Sequence, residues 1–348
     1  MNGFWAEKRV LLTGHTGFKG SWLSLWLADL GADVFGLAME PETRPALFEQ
    51  LQLKSRVHHK IGDIRRVDTV RARVAEVQPD IVIHLAAQPL VLASYVDPLL
   101  TWETNVMGTA HVLEAIRGLE KHFAVVMVTT DKVYENHETG RPYREGDRLG
   151  GHDPYSASKA ASELVIASWC KSFFAGLPVR LASARSGNVI GGGDWSINRI
   201  LPDLARAQAE GRALAVRNPH ARRVWQHVLE PLSGYLRLAQ ALYEDRPGIA
   251  EAYNFGPDPS DMRPVRDLIQ AAYMEWPGLW HDVSDSNAPH EASQLSLTID
   301  RARDELDYVP RWDFARGVRE TVAWYRAVAE GADPLDLTRS QIRAFGAP

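Results

Sequence analysis

Cysteine is almost absent from this sequence: Cys170 is the single one among 348 residues. One cysteine excludes an internal disulfide and a cysteine-based metal site, and it fits a reducing compartment. An excess of positive charge is also lacking, since the formal net charge is −5, so nothing indicates nucleic-acid binding. No apolar run reaches the roughly 18 residues that cross a bilayer. The first one, Val10–Leu12, is interrupted by Thr13 and Gly14, unlike a secretory leader. We therefore expect a cytoplasmic protein with neither a membrane nor a nucleic acid as its partner.

The composition is ordinary for a globular protein, with 45% apolar and 24% charged residues. A chain of 348 residues exceeds the usual size of one hydrophobic core, so two lobes are expected. Short β-type runs alternate with helical patterns through the first half, which predicts an α/β fold with a doubly wound parallel sheet. Helical spacing of apolar residues predicts the first helix at Trp22–Leu30. The predicted strands are 9–13, 33–38, 57–62, 80–87 and 123–130, and 250–256 returns to the same sheet.

Three glycines, Gly14, Gly17 and Gly20, lie between the first predicted strand and the first predicted helix. In that context they indicate a dinucleotide-binding turn, because missing side chains permit a tight turn, close approach to a pyrophosphate and close helix packing. The helix N-terminus adds positive potential. A tight turn without a ligand is the alternative interpretation.

Acidic residues at the ends of the next two predicted strands extend this interpretation. Glu40 follows the glycines by about 20 residues, where a carboxylate binds the adenosine ribose hydroxyls and repels a 2′-phosphate, so NAD is favoured over NADP. Arg44 is close by and could accept that phosphate instead. Asp63 is placed to meet the adenine, with an ordinary surface turn as the alternative.

The composition changes beyond about residue 190, where Gly, Pro, Asn and Arg become frequent. Segments of this kind suit loops that line a cleft. We therefore predict a Rossmann domain at 1–186, with a returning segment at about 226–256. A smaller α/β substrate-binding C-terminal lobe is predicted at 187–225 and 257–340.

Tyr155 and Lys159 are four residues apart and so share one face of a predicted helix. Such a pair is weak evidence alone, because a solvated helix face has the same pattern. Its position after the fifth predicted strand places it at the carboxyl edge of the sheet, where ligands bind in this class of fold. A redox or proton-transfer role is therefore favoured.

Several segments together resemble the extended short-chain dehydrogenase/reductases, in the CDP-glucose branch of the NAD-dependent sugar-nucleotide dehydratases. They are "TGHTGFKG", "GDIR", "HLAAQPLV", "NVMGT", "TTDKVYEN", "GGHDPYSASK", "GNVIGGGDW", "WQHVLEPLSGY" and "YNFGP". The resemblance runs from about residue 9 to about residue 325. It implies an NAD-dependent hydro-lyase that makes a 4-keto-6-deoxy sugar nucleotide, an early step toward the deoxysugars of surface polysaccharides such as O-antigen.

The resemblance also implies site residues. The cofactor residues are Gly14, His15, Gly17, Phe18, Lys19, Gly20, Glu40, Asp63, Ile64, Leu85, Ala86, Ala87, Asn105, Tyr155 and Lys159. The substrate residues are Gln88, Asn188, Arg199, Val216, Arg217, Arg223 and His290, with Asn188 and Arg223 at the diphosphate and Val216 and Arg217 at the base. No metal ligand is implied.

The catalytic residues implied by the resemblance are Thr130, Asp131, Lys132, Tyr155 and Lys159. Tyr155 takes the proton of the C4 hydroxyl, and we expect the Lys159 ammonium to lower its pKa from about 10. Thr130 donates a hydrogen bond to the C4 oxygen, and Asp131 is the acid for the C6 hydroxyl. Lys132 stands where related dehydratases carry glutamate. It is either the C5 base, with a pKa lowered from about 10.4, or a cation that stabilises the enolate.

Two other functions are compatible with the same residues. A nucleotide-sugar 4-epimerase or 4-reductase would share Tyr155 and Lys159 but would not need Asp131. A catalytically silent dinucleotide sensor is a third hypothesis, although such proteins typically lose the tyrosine or the lysine. The resemblance further implies a homodimer through helices around 98–118 and 154–175, with Trp169, Phe173 and Phe174 suited to the interface, and dimers that could pair into tetramers.

Overall fold

The computed structural model describes residues 3–258, 261–285, 292 and 294–348. Its strands are β1 (Arg9–Thr13), β2 (Asp33–Leu37), β3 (Ile81–His84), β4 (Phe123–Val128), β5 (Val179–Ser186), β6 (Val189–Ile190), β7 (Leu214–Val216), β8 (Arg222–Val224), β9 (Gln226–His227), β10 (Ala252–Phe255), β11 (Met262–Pro264) and β12 (Trp280–Asp282). Its α-helices are α1 (Phe18–Asp29), α2 (Leu47–Gln50), α3 (Val67–Val77), α4 (Val91–Val96), α5 (Pro98–Trp102), α6 (Gly108–Ile116), α7 (Pro154–Trp169), α8 (Ile200–Ala209), α9 (Leu229–Tyr243), α10 (Val265–Glu275), α11 (Asp300–Leu306), α12 (Phe314–Ala329) and α13 (Pro334–Phe345). Short π-helical turns at Glu103–Met107 and Cys170–Phe174 extend α5 and α7, and 3₁₀ turns lie at Leu53–Ser55 and Asp131–Val133.

A six-stranded sheet ordered β10-β5-β4-β3-β1-β2 forms the centre, and its pairs are parallel. This order confirms the predicted doubly wound α/β fold. The strand order reverses between β1 and β3, whose ends Thr13 and His84 are register partners. A hydrogen bond of 2.7 Å joins Thr13 Oγ1 to His84 Nδ1 there. Ligands of this fold class bind beyond the carboxyl ends of the strands at such a reversal.

Two details of the sheet differ from the sequence prediction. Residues 57–62 form two isolated bridges, Phe35 with His58 and Ala38 with Ile61, and not a continuous strand. They follow the outer edge of β2, where His58 and Ile61 stay exposed. In addition, β5 was not predicted, because Arg180, Ser183 and Arg185 interrupt its apolar pattern although Ser183 and Arg185 are buried.

Successive residues of the strands face two layers of helices. The face that carries Val10 and Ile83 packs in one core with residues of α1 and α9, including Trp22. The opposite face, which carries Leu11 and Val82, packs with residues of α3, α6 and α7. Since both faces are covered, β3 and β4 are buried along their whole length, as expected for a parallel sheet between helical layers.

A smaller core lies beyond residue 187. Side chains of α8, α10 and α12 surround it, including Leu204, Leu268 and Val322. Three two-stranded sheets accompany these helices: β6 with β9, β7 with β12, and β8 with β11. Loops and short strands of this region form one wall of the cleft described below.

The surface corrects one expectation about the subunit interface. Phe174 is buried in the core that also contains Ile116 and Phe123, because the turn that extends α7 packs back onto the sheet. Trp169 is partly buried against the same core, and Phe173 is exposed.

Within the described ranges, no helix combines the length and apolar character needed to cross a bilayer.

Candidate functional site

One cleft of about 1630 Å³ extends from the turn between β1 and α1 to the loops beyond residue 187. It brings most of the predicted site residues together. Those that line it are Gly14, Gly17, Phe18, Lys19, Gly20, Glu40, Asp63, Ile64, Leu85, Ala86, Ala87, Gln88, Thr130, Asp131, Lys132, Tyr155, Lys159, Asn188, Arg199, Val216, Arg217 and Arg223. His15 and Asn105 are not among them, and His290 falls outside the described residues. In the part of the chain described here, no cluster of His, Cys, Asp and Glu could hold a metal ion.

The glycine turn fits a dinucleotide at each of its three positions. Gly14 has a φ of +76°, and a Cβ there would lie 2.7 Å from the Ala86 backbone nitrogen. A Cβ on Gly20 would lie 2.1 Å from the Gly14 carbonyl oxygen, so Gly20 lets α1 pack on the turn. Gly17 precedes α1 and gives the helix no side-chain cap. The backbone at the start of α1 is therefore free to bind a pyrophosphate.

Two carboxylates line the cleft beyond the glycine turn. Glu40 is exposed to it, whereas Arg44 is exposed elsewhere and is not a lining residue. This arrangement favours ribose hydroxyls over a 2′-phosphate. Asp63 also lines the cleft, and its carboxylate lies 2.6 Å from the Arg65 guanidinium. That ion pair fixes the orientation of Asp63.

Two side chains predicted at the cofactor lie behind the cleft wall. His15 is fully buried, and its Nε2 lies 2.7 Å from His59 Nδ1. Burial, followed by the charges of His59 and Arg73, lowers the pKa of His15 to about 3. This buried imidazole therefore packs against Phe48 and His59 and does not face the cleft.

Asn105 positions a loop of the cleft from behind. Its Oδ1 accepts from the Gln88 backbone N–H at 2.9 Å, and its Nδ2 donates to the Gln88 carbonyl and to Ser158 Oγ. The Gln88 side chain donates to the Thr101 hydroxyl on α5 and accepts from the Leu90 N–H within the loop. These bonds hold the loop after β3 against α7.

At the other end of the cleft, α7 presents Tyr155 and Lys159. Asp153 caps this helix by accepting from the Ser156 N–H at 2.9 Å and from the Ser156 hydroxyl at 2.6 Å. Pro154 occupies the first helical turn, where its missing N–H costs nothing. The cap and the proline start the helix one residue before the tyrosine, so Tyr155 points from its first turn into the cleft.

The turn after β4 carries the second set of predicted catalytic residues. Thr130 caps this turn by accepting from the Lys132 N–H at 3.4 Å, and its hydroxyl donates to Asp131 Oδ1 at 2.9 Å. Asp131 is buried, and Lys132 is partly exposed on the same wall. The structure thus brings the turn and the first half of α7 together, as their separate positions in the sequence could not show.

The pKa of Tyr155 differs from the expectation. Burial raises it to about 12, while a hydrogen bond with Thr130 and the charge of Arg199 oppose that rise. Lys159 donates from Nζ to the Val128 carbonyl at 3.3 Å, and burial lowers its pKa to about 8 against the charge of Glu163. The prediction that the Tyr155 pKa is lowered was therefore wrong for the protein without ligand. Desolvation of the phenolate raises the pKa by more than nearby cations lower it.

A buried ion pair that the sequence analysis missed holds the turn after β4. Glu163 of α7 accepts from Arg185 of β5 at 2.8 Å and from the Thr129 hydroxyl at 2.5 Å. Arg185 in turn donates to Tyr134 Oη at 2.9 Å. The ion pair therefore binds Thr129, which precedes Thr130, and Tyr134, which follows the turn. Glu163 lies four residues beyond Lys159, on the same face of α7. This helical spacing is the signal in the sequence that could have identified Glu163.

Lys19 reaches away from the glycine turn that carries it. Its Nζ donates to Ser186 Oγ at 3.0 Å and to Tyr235 Oη at 3.4 Å. Ser186 and Tyr235 are themselves 2.8 Å apart and buried. Neither was predicted, because Ser186 ends the strand that the sequence pattern concealed and Tyr235 lies on α9.

The wall beyond residue 187 carries arginines. Arg199 pairs with Asp194 at 2.8 Å at the start of α8. Arg217 is exposed and donates to the Asn198 carbonyl at 3.1 Å, while Arg223 is partly buried in β8. Such guanidinium groups suit a diphosphate, which accepts hydrogen bonds in pairs.

Comparison with known proteins places these residues in a family context. The family model described as GDP-mannose 4,6 dehydratase matches residues 11–254. The CDP-glucose 4,6-dehydratase of Salmonella typhimurium is 44% identical over 98% of this chain and 97% of its own length. A dTDP-glucose 4,6-dehydratase of Streptomyces antibioticus is 33% identical over 79% of this chain and 78% of its own.

Solved structures show the same fold. The dTDP-glucose 4,6-dehydratase DesIV of Streptomyces venezuelae, with NAD and TYD bound, is 28% identical, with a TM-score of 0.77 over 94% of this chain and 99% of that one. A UDP-glucose-4-epimerase of Stenotrophomonas maltophila with bound NAD is 22% identical, with a TM-score of 0.80 over 94% of this chain and 100% of that one. At that identity the epimerase shows the fold alone.

Proposed function

The chain belongs to the family described as GDP-mannose 4,6 dehydratase, and we propose that it converts CDP-D-glucose to CDP-4-dehydro-6-deoxy-D-glucose and water with NAD as cofactor. The observation that carries this proposal is the presence of Asp131 beside Thr130 in the cleft that also contains Tyr155 and Lys159. Tyr155 and Lys159 alone would be compatible with many redox reactions. A nearby acid such as Asp131 is the additional group that removal of a hydroxyl needs. The 44% identity to the Salmonella CDP-glucose 4,6-dehydratase supports the same substrate.

NAD would be held by the turn at Gly14, Gly17 and Gly20 and by Glu40, for the steric and electrostatic reasons given above. When bound, NAD supplies the acceptor for hydride from C4 of the sugar and the donor that returns hydride to C6. With hydride returned to C6, the reaction would have no net redox change and would need no exchange of cofactor. The overall reaction is a dehydration.

Tyr155 acts in the first half of the cycle. Its phenol takes the proton of the C4 hydroxyl while C4 is oxidised. The Thr130 hydroxyl, which donates to Asp131 in this structure, would turn to donate to the same C4 oxygen. A phenol with a pKa of about 12 is a poor base at neutral pH, so its ionisation depends on positive charge nearby. The charge of Arg199 favours the ionised phenol in this structure, and we propose that the Lys159 ammonium, one turn along α7, adds to it.

Asp131 acts in the second half. The ketone at C4 makes the C5 proton acidic, and the C6 hydroxyl can leave as water if it is protonated. Asp131 acts as the acid that gives that proton, and Lys132 on the same wall acts at C5, as base or as a cation for the enolate. After water leaves, C6 receives hydride and C5 receives a proton.

The nucleotide end of the substrate would lie against the wall beyond residue 187. Asn188 and Arg223 would contact the diphosphate, Arg199 would line the path to the sugar, and Val216 and Arg217 would border the base. This use of the two walls follows the predicted cofactor domain at 1–186, with a returning segment at about 226–256, and the predicted substrate lobe at 187–225 and 257–340. Tyr308, Trp324 and Phe345, however, pack in the core that α1 and α9 form against the sheet.

Turnover of CDP-, UDP- and dTDP-glucose by the purified protein tests this function. We expect the 4-keto-6-deoxy product from CDP-glucose, identified by NMR, and far slower reaction of the other two. Inversion at C4 without loss of water would instead support the 4-epimerase. Binding of NAD with no turnover of any sugar nucleotide would support a sensor.

We also propose a homodimer in the cytoplasm that supplies a deoxysugar for surface polysaccharide such as O-antigen. Exposed apolar side chains on α5, on α7 and on the turn that extends α7 support the dimer, since α5 contacts α7. They are Leu99, Trp102, Leu164 and Phe173. Light scattering of the wild type and of Leu99→Glu would show a dimer and its dissociation, or a tetramer.

A further inference from the structure

The two predicted catalytic side chains of α7 contact the end of β4 on either side of Thr129. Tyr155 is hydrogen-bonded to Thr130, and Lys159 Nζ donates to the Val128 carbonyl at 3.3 Å. Both contacts depend on how the chain is turned at this point, because one uses a backbone carbonyl and the other a side-chain hydroxyl. A change in the backbone at Thr129 would therefore move both of them.

A buried hydrogen bond fixes Thr129. Its backbone N–H donates to the Ala184 carbonyl at 2.9 Å, which continues the pairing of β4 with β5. Its hydroxyl donates to Glu163 Oε1 at 2.5 Å, and both residues are buried. The carboxylate cannot follow the threonine if it moves, because Arg185 holds it through hydrogen bonds of 3.0 and 2.8 Å. Glu163 is therefore a fixed anchor for the Thr129 hydroxyl, and hydrogen bonds to a charged acceptor are strong.

Building on the proposed function, we propose that Thr129 is a positioning residue for the oxidation at C4 and that Glu163 is the anchor through which it acts. The bond between them holds the end of β4 in place. Lys159 then keeps its carbonyl partner, and Tyr155 keeps its hydrogen bond with Thr130. Thr129 does not react itself, since its hydroxyl proton is donated to a buried carboxylate.

Ser183 on β5 offers a matched control. Its hydroxyl donates to Glu163 Oε2 at 2.8 Å and is buried as well. Ser183→Ala removes the same kind of hydrogen bond from the same carboxylate but leaves the end of β4 attached to it. Comparison of Thr129→Val with Ser183→Ala therefore separates the positioning of β4 from a general effect on the buried ion pair.

The test measures kcat and KM for conversion of CDP-glucose to the 4-keto product by the wild type, Thr129→Val, Thr129→Ser and Ser183→Ala. We expect Thr129→Val to lower kcat about tenfold, because a misplacement of about 1 Å at a reacting centre can cost roughly 10²-fold. Its KM should stay within about twofold, since substrate contacts are kept. Thr129→Ser, which keeps the hydroxyl, and Ser183→Ala should retain kcat within about threefold.

The pH profile of kcat separates positioning from a simple loss of folded protein. The bond with Thr130 lowers the pKa of Tyr155 against the effect of burial. When that bond loosens, the phenol ionises at higher pH, so the rising limb of the profile should move to higher pH in Thr129→Val alone. A smaller folded fraction lowers the whole profile without moving it. The charged groups around the phenol are the same in all four proteins: Asp131, Asp153 and Arg199, with Lys159 and Glu163 along α7.

A Thr129→Val protein with the kcat and the pH profile of the wild type would overturn the inference. Equal losses in Thr129→Val and Ser183→Ala would overturn it as well, because the ion pair and not the end of β4 would then be the cause. A rise in KM without a fall in kcat would contradict it too. Thr129→Ala, which also lacks the hydroxyl, decides by the same criteria if Thr129→Val does not fold. Absence of the 4-keto product with the wild type would instead refute the proposed function, and this inference with it.

Discussion

The two ends of the cleft are built in opposite ways. At the end that carries the predicted catalytic residues, Asp131, Tyr155 and Lys159 are each less than a tenth exposed, and the buried Glu163–Arg185 pair fixes the turn that carries Asp131. At the nucleotide end, Arg217 is exposed and contacts a backbone carbonyl. The first end has its geometry set before substrate arrives, while the second leaves charge available for a ligand. Changes at the first end should alter catalysis or stability, and changes at the second should alter affinity.

Removal of the Tyr155 hydroxyl should have the largest effect. We expect Tyr155→Phe to reduce kcat by about 10³-fold, since general acid–base catalysis contributes roughly 10²- to 10⁴-fold. Formation of the 4-keto sugar measures it. Tyr273→Phe is the matched control, because the Tyr273 hydroxyl bonds to the Leu279 carbonyl away from the cleft. Turnover of Tyr155→Phe within tenfold of the wild type would exclude Tyr155 as the acid/base.

Loss of the acid at Asp131 should separate the two halves of the cycle. In Asp131→Asn we expect elimination to slow by roughly 10²- to 10³-fold, because the amide cannot protonate the leaving hydroxyl. Oxidation at C4 should continue. Rapid mixing with CDP-glucose should then show persistent near-ultraviolet absorbance of reduced nicotinamide. A variant that loses oxidation and elimination in parallel would contradict the assignment of Asp131 to the second half.

The buried pair should contribute more to stability than an exposed ion pair elsewhere on the surface. Glu163→Gln leaves the Arg185 guanidinium buried without its counter-charge, so we expect the free energy of unfolding to fall by about 3 kcal/mol. Denaturant titration measures it. Glu330→Gln, which breaks an exposed pair with Arg326, should cost under about 0.5 kcal/mol.

The pH dependence of this difference has a defined sign. Burial acts to raise the pKa of Glu163, but Arg185 and the hydroxyls of Thr129 and Ser183 hold it below its ordinary value. A carboxylate of this kind stabilises the fold above the pKa it has in the unfolded chain, about 4.3, and loses that contribution as pH falls through its folded pKa. The stability difference between wild type and Glu163→Gln should therefore shrink in acid. A constant difference down to acid unfolding would argue against an ionised Glu163.

Arginines at the nucleotide end should affect KM. We expect Arg217→Ala or Arg223→Ala to raise KM for CDP-glucose about tenfold, in line with loss of one charge-assisted hydrogen bond, and to leave kcat within twofold. Arg222→Ala is the control, because Arg222 precedes Arg223 in β8 and does not line the cleft. A fall in kcat without a change in KM would remove the distinction between the two ends.

The smallest effect is expected at the adenosine end of the cofactor. Glu40→Gln should weaken NAD binding about fivefold, because a neutral amide accepts ribose hydroxyls less strongly than a carboxylate. Arg44→Ala should change it less than twofold, since Arg44 lies outside the cleft. Titration calorimetry measures both. A larger loss in the arginine variant would favour NADP.

The sequence predicted the sheet where strands were apolar and failed where polar residues were buried in pairs. The strand at Val179–Ser186 reads as polar because Arg185 finds its partner, Glu163, on another element. The periodicity of apolar residues along one segment cannot show that a polar residue is paired with a residue on a distant element. The opposite error arose at residues 57–62, where the expected strand lies at an exposed edge and pairs at only two points.

The sequence predicted which residues belong to the candidate site, but not the directions in which their side chains point. His15 and Lys19 flank Gly17 in one turn, yet His15 points into the core beside His59 and Lys19 points to the end of β5. Nothing local specifies those directions. Likewise, the expected shift of the Tyr155 pKa followed from a nearby lysine, and burial, which depends on the whole fold, reverses it.

Transfer of the hydrogen from C4 to C6 within one substrate molecule tests the central claim most directly. CDP-glucose deuterated at C4 is incubated with the purified protein and NAD, and the product is analysed by NMR and mass spectrometry. The account predicts a 4-keto-6-deoxy product with deuterium at C6 and a solvent-derived hydrogen at C5. A product that retains deuterium at C4 with inverted configuration, or keeps its C6 hydroxyl, would contradict it.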